Sequence, residues 1–265
     1  RRRPCSTSSP RASCTPASGR RASSRGVDRL FSRIERQQRG VLPALKAAIA
    51  GELGAEQGPE LLKRITMRVS PALDEARRAA QRLFAVLDTW MAGKPGSVER
   101  LADGFGQDAV WSQGLNESLE QFGYAVGTLR EELANIVGRV SENDDLDPSE
   151  RLLALTQELR GIMNRLDAAR DAVTSALRPP PGQPPTVRWI ERRQSGTVSL
   201  ATAPLELAPL LQELIWSRVE TVVVTSATLT AGGGFEFLEH RLGLDLAPTR
   251  SGARSTTAPA SCAIM

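Results

Sequence analysis

The sequence predicts a mostly α-helical chain, a helical bundle or long helical hairpin, followed by a partial α/β segment and flanked by disordered tails. Three observations predict it. Two long apolar seams, spaced by alternating threes and fours, occupy the middle of the 265 residues. The hydrophobic period switches from helical to alternating after a proline-rich stretch at 179–185. Both ends are built from Arg, Ser, Pro, Ala and Thr and carry little that a core could bury.

Residues 1–26 read as a disordered basic tail. From Val27 the texture changes: Val27, Leu30, Phe31 and Ile34 recur at helical spacing, and a second short helix runs from Pro43 to Ile49. Ser70 followed by Pro71 reads as an N-cap with Pro at the first helical position. The helix it opens carries Leu73, Ala76, Ala80, Leu83, Phe84, Leu87 and Met91 on one face, and Gly93-Lys94-Pro95-Gly96 stops it. The first long seam is Trp111, Leu115, Leu119, Phe122, Val126, Leu129, Leu133, Ile136 and Val140. The second is Leu152, Leu155, Leu159, Ile162, Leu166, Ala169, Val173 and Leu177. The short acidic connector Ser141–Asp147 makes an antiparallel hairpin the natural arrangement, with Asp147-Pro148-Ser149-Glu150 as a capping box. Residues 27–178 thus form a helical domain, and 179–185 a semi-rigid linker.

Beyond the linker, Val187–Ile190 and Thr197–Leu200 read as two strands around Gln194-Ser195-Gly196. An amphipathic helix from Leu205 to Trp216 follows, then Thr221–Thr225, a β-branched run suited to a strand covered on both faces. A glycine turn at 232–234 leads to a helix from Phe235 to Leu242, with Gly243 as its C-cap. The strand–helix alternation makes 186–246 a partial α/β domain, and 247–265 is again a disordered tail.

The pI of about 9.4 points to nucleic acid only if the charge sits on the folded part. It does not sit there on balance. Residues 1–25 carry seven Arg and no acid, and 247–265 carry Arg250 and Arg254 and no acid, which leaves 26–246 at −5. The three Cys, at 5, 14 and 262, lie in the tails, and His240 is the single His, so no zinc or iron–sulfur ligand set is present. No apolar run has the eighteen or so residues of a membrane span. A chain that opens on Arg1 without an initiator Met is expected to have been cut from something longer. The terminal compositions are those that a GC-rich gene yields in a wrong reading frame.

Thr225-Ser226-Ala227-Thr228-Leu229, directly after a buried strand, resembles the third motif of superfamily-two helicases. Upstream, Ala203-Pro204-Leu205-Glu206-Leu207-Ala208-Pro209-Leu210-Leu211 resembles the segment that precedes this motif in the DinG/XPD family. Downstream, Phe235–Leu238 and Arg241–Leu244 match that family's continuation, so the resemblance covers about 200–246. It implies that 27–178 is the family's helical arch and that 186–246 is the C-terminal edge of a RecA-like first motor domain. It also implies that Ser226, Ala227 and Thr228 couple nucleotide state to strand movement. The implied parent is a cytoplasmic, ATP- and Mg²⁺-dependent 5′-to-3′ DNA helicase of the repair or replication type, acting on single-stranded DNA away from any membrane.

Much that the family needs is missing from these residues. A phosphate cradle needs G-x-x-x-x-G-K-[ST], and Gly93-Lys94 is followed by Pro95. Asp74-Glu75-Ala76-Arg77 resembles the Asp-Glu-Ala-His box but lies inside a helix and has Arg77 for His. The expectation is therefore a piece with no catalytic, cofactor-binding or metal residues of its own, dependent on missing motor domains. The alternative is a non-catalytic helical interaction module. Asp144, Asp145 and Asp147 read as a solvated loop rather than a cation site, and His240 as a helix C-terminal residue.

Overall fold

A computed structural model describes residues 20–53, 57–141, 149–182, 185–219 and 234–244. The described chain divides into two compact units, Gly19–Ala203 and the part that begins at Pro204. The first is mostly helical, as the apolar seams predict, and it also carries a small antiparallel sheet, which the sequence reading had assigned to a separate segment beyond the prolines.

Strand β1 (Arg20–Ser23) leads directly into α1 (Ser24–Ile34). Ser23 caps the helix, its Oγ accepting from the Gly26 N–H at 3.1 Å. Here the structure corrects the sequence reading: residues 20–26 are not a disordered tail. Ala22 is buried, and β1 pairs in antiparallel register with β4 (Val198–Pro204), Arg21 opposite Ala201. Polar residues alternating around one alanine gave no strand signal. The pairing partner lies almost 180 residues away in sequence, which local patterning cannot register.

After α1, Gln37 and Gln38 both adopt positive φ (49° and 62°), closing a tight turn in which Arg36 and Arg39 exchange backbone hydrogen bonds of 2.7 and 2.9 Å. Helix α2 (Val41–Glu52) follows. Gly40 at its start has φ +119°, and a Cβ there would stand 2.7 Å from the carbonyl oxygens of Arg33 and Ile34, so only glycine fits.

Helices α3 (Gln57–Arg64) and α4 (Ser70–Ala92) are joined without a break by one π-helical turn at Ile65–Val69. Ser70 is helical and caps nothing, contrary to expectation. Pro71 has no N–H to donate and its ring would crowd the preceding turn. The wider π turn, closed by Ser70 N–H to Ile65 O, absorbs it inside a continuous helix. The predicted apolar face of α4 from Leu73 to Met91 is buried throughout.

The hairpin is formed by α5 (Leu115–Ser141) and α6 (Glu150–Leu177). Cross-helix pairs run antiparallel: Arg130 Nε to Asp167 Oδ2 at 3.0 Å, and Ser141 Oγ to Thr156 Oγ1 at 3.5 Å. The seam positions from Leu115 to Val140 are buried, as are Leu152, Leu159, Ile162, Leu166, Val173 and Leu177. Each such side chain contributes about 1.5–3 kcal/mol relative to exposure. Helix α5 also packs on α4, which is why Ala125 and Val137, off the seam, are buried too.

Two details differ from the sequence reading. Trp111 belongs to a 3₁₀ turn ahead of α5, separated from it by Gly114 at φ +116°; its indole donates to Phe105 O at 2.7 Å. The cap of α6 is Ser149, accepting from the Leu152 N–H at 3.2 Å, rather than Asp147, which lies outside the described residues with Asp144 and Asp145.

Strand β3 (Thr186–Arg192) and β4 form the predicted hairpin, with Gly196 at φ +73° in its turn. The three-residue strand β2 (Val98–Arg100) completes the order β1-β4-β3-β2. The sheet therefore belongs to the helical unit. Arg188 of β3 is buried and donates to the Ala176 carbonyl at 3.0 Å, satisfying an otherwise open C-terminal group of α6. Burial lowers its pKa, and nearby Asp103 offsets part of that shift. Arg192 grips Asp88 of α4 through two bonds, the shorter at 2.7 Å, and the carboxylate raises its pKa. The proline-rich 179–185 stretch, expected to separate domains, instead connects elements of one unit; the contact boundary falls at Pro204.

The second unit contains α7 (Ala208–Leu211), which runs on into a π turn at Gln212–Trp216, and α8 (Glu236–Leu242). Trp216 Nε1 donates to Leu242 O at 2.7 Å, and Gly243 ends α8 in the left-handed conformation at φ +69°, as its sequence position predicts.

Candidate functional site

Ser226, Ala227 and Thr228 lie outside the described residues, together with the Thr221–Thr225 run. Their flanks are described. The turn ending at Trp216 and helix α8 meet through the Trp216–Leu242 bond, and Gly243 comes so close to Ala208 that a Cβ would stand 2.9 Å from its carbonyl oxygen. The two ends of the motif-bearing segment are thus brought to neighbouring helices of one unit.

The two sequence decoys have structural employment. Asp74–Arg77 sits within α4. Arg77 donates to Phe31 O at 3.2 Å and also to Glu35 O, closing the C-terminal end of α1. Glu75 accepts from Arg82 and Arg78, both at 2.8 Å, and these two guanidinium groups hold its carboxyl below the usual carboxylate range. Gly93 caps α4, and the Lys94 ammonium lies 4.3 Å above the Trp90 ring. Among the described residues no three His, Cys, Asp or Glu side chains are grouped to hold a metal ion, and no helix is long and apolar enough to cross a membrane.

The charge reading missed a local feature. Arg25, Arg29 and Arg33 recur every fourth residue of α1, and Arg36 and Arg39 follow on either side of the Gln37-Gln38 turn. Arg29, Arg33, Arg36 and Arg39 line a cleft of about 570 Å³ with Asp28, Ser32, Gln37 and Gly40. Arg25 lines a neighbouring cleft of about 360 Å³ between α1, α4 and the β3–β4 turn. Arg33 pairs with Glu158 of α6 at 2.8 Å. Arg25, Arg29, Arg36 and Arg39 are exposed and have no acidic partner among the described residues. Averaging over 26–246 hid this face; counting cations along one helix face would have exposed it.

No family model matches the chain. The chain is similar to the 3′-5′ exonuclease DinG of Bacillus subtilis (strain 168), 44% identical over 59 residues. The match takes in 21% of this chain and 6% of that protein's length. The similarity is one of partial, DinG-type sequence likeness.

Proposed function

We propose that this chain is a piece of a DinG/XPD-type ATP-dependent DNA helicase, an arch-like helical unit followed by the C-terminal edge of the first motor domain, without ATPase activity of its own. The observation that carries the reading is the 44% identity to a DinG protein over 59 residues, which supports a DinG-type relationship. In this reading the parent moves 5′ to 3′ along single-stranded DNA in the cytoplasm, using ATP and Mg²⁺ held by motor elements that these residues do not spell. The hydroxyls of Ser226 and Thr228 would link the nucleotide's catalytic carboxylate to the strand-holding surface. Phosphoryl transfer depends on a phosphate loop, a metal-binding acid and a second motor domain to position and neutralise charge; without them turnover is expected at background.

A second reading, a non-catalytic helical interaction module, is favoured by one observation: residues 20–203 close their own core around the α4–α5–α6 packing. The flanking nucleotide sequence separates the two. A helicase piece is bordered by frames that spell G-x-x-x-x-G-K-[ST] and Asp-Glu-Ala-His upstream and a second motor domain downstream. Finding neither overturns the helicase reading. DNA-stimulated ATP turnover by the 265-residue chain, abolished by Thr228→Ala, would overturn the expectation of inactivity.

A further inference from the structure

We infer that the arginine face of α1 and the following turn is a contact surface for the phosphodiester backbone of nucleic acid, carried by the helical unit itself. This goes beyond the helicase reading, which gives strand-holding to the motor, and a result on ATP turnover leaves it untouched.

The first argument is charge. Residues 26–40 hold four Arg against Asp28 and Glu35, a local +2 within a 26–246 body of −5, and Arg25 stands one helical turn before them, so the face is a local inversion rather than a share of general basicity. The second is chemistry. Every cation between residues 20 and 45 is Arg, whose planar fork of donors matches phosphate oxygens two at a time. Spacing by four residues repeats the attachment points every ~6 Å along the helix, a pitch suited to successive charges of an extended strand. The third is the lining. The cleft has no apolar side chain, and it sets four guanidinium groups, those of Arg29, Arg33, Arg36 and Arg39, against the single carboxylate of Asp28. Protein interfaces draw most of their energy from a few desolvated anchors, chiefly Trp, Tyr and Arg, and the cleft offers no aromatic one; a polyanion held by charge needs none.

The fourth argument is rigidity. Arg36 and Arg39 are fixed by their mutual backbone hydrogen bonds around two glutamines held at positive φ, a conformation costing about 1–3 kcal/mol per residue unless its surroundings enforce it. Gly40 enforces it from the following position, where nothing larger fits. The turn thus holds the backbone that carries Arg36 and Arg39 in place before any ligand arrives, which lowers the ordering cost of binding.

The test is fluorescence anisotropy with a labelled oligothymidylate and the full chain, in which Arg1, Arg2 and Arg3 are first changed to Gln to reduce binding by the N-terminus. In that background a face triple, Arg29→Gln, Arg36→Gln and Arg39→Gln, is compared with a control triple, Lys63→Gln, Arg68→Gln and Arg165→Gln. Both remove three exposed positive charges, and circular dichroism establishes that both fold. The face triple is expected to weaken binding about ten-fold or more and to lower the slope of log Kd against log salt by about 2, at ~0.7 per lost phosphate contact with a single strand. The control triple is expected to change affinity less than about two-fold. Equal losses in the two triples, or none in either, would overturn the assignment. So would displacement by polyglutamate as effective as displacement by unlabelled oligothymidylate, which would make the partner an acidic polypeptide. A labelled duplex run in parallel reports whether the backbone is read from one strand or two, and weaker binding of both nucleic acids than of polyglutamate counts against the proposal.

Discussion

Residues 20–203 and the described residues from 204 to 244 spend their apolar side chains in opposite ways. In the first region, Leu83, Leu87, Leu129, Leu133 and Val173 are entirely removed from solvent, and the long seams face one another. In the second, no helix buries a side chain, and Leu205, Leu207, Ile215, Val219 and Phe237 are exposed, Phe237 at 64%. Amphipathic patterning exists in both. A seam becomes a core only where a second seam of matching length lies opposite it, and α5 and α6 provide each other's partner locally. The helices after Pro204 are short, and their apolar residues are those of elements that need further neighbours.

Four expectations break or sharpen that contrast, the largest first. Limited proteolysis should leave a resistant product of about Arg20–Ala203, cut at its C-terminal side beyond Pro204, because β3 is tied to α4 and α6 by Arg192–Asp88 and Arg188–Ala176, and β4 pairs with β3 and β1. A product ending near Leu177, with early cleavage in 179–185, would restore the proline-rich stretch as the boundary. Next, Leu129→Ala should cost about 2–5 kcal/mol in denaturant unfolding, whereas Phe237→Ala should stay within about 0.5 kcal/mol. Equal costs would mean that the second region contributes a core.

Glycine substitutions give a finer probe. Gly40→Ala should lower stability by about 1–3 kcal/mol, since it adds an unfavourable φ to a backbone clash inside the first region. Gly243→Ala faces a similar clash with Ala208, yet should leave the main unfolding transition in place and alter only the fluorescence of Trp216, bonded to Leu242. A shift of the main transition by Gly243→Ala would show that the two regions unfold together. The smallest effect concerns Glu75. Its folded pKa is lowered by Arg82 and Arg78, so its contribution is present above the unfolded carboxylate pKa of about 4.3 and is lost as pH falls through the lower folded value. Glu75→Gln should therefore reduce stability slightly at neutral pH and leave it unchanged in acid beyond that window, measured by thermal unfolding across pH. Because the pair is exposed, salt should shrink the difference.

Much of the fold could be read in advance where one segment's pattern was enough. The α4, α5 and α6 faces, the β3–β4 hairpin and the Gly243 cap follow from 3.6- and two-residue periods and from a glycine placed where φ must be positive. The helicase-like motif was legible as a string of residues, and Ser226–Thr228 remain a matter of that string, outside the described part. What escaped depended on partners remote in sequence. Strand β1 has no pattern of its own and exists because β4 offers an edge; β2 is three mostly exposed residues recruited by β3; the turn of π helix before Pro71 reflects a helix continued by packing through a residue that would end it in isolation.

By itself, then, the order of residues determined which segments are helical, which faces of them are apolar and where glycine must stand, because those properties are set by backbone geometry and side-chain spacing within a few turns. The tertiary structure alone decided that the sheet joins the helical unit and that the boundary lies at Pro204 and not in the prolines. Those are consequences of which surfaces meet in space, and the free energy of that meeting comes from area buried and charges paired between elements far apart along the chain.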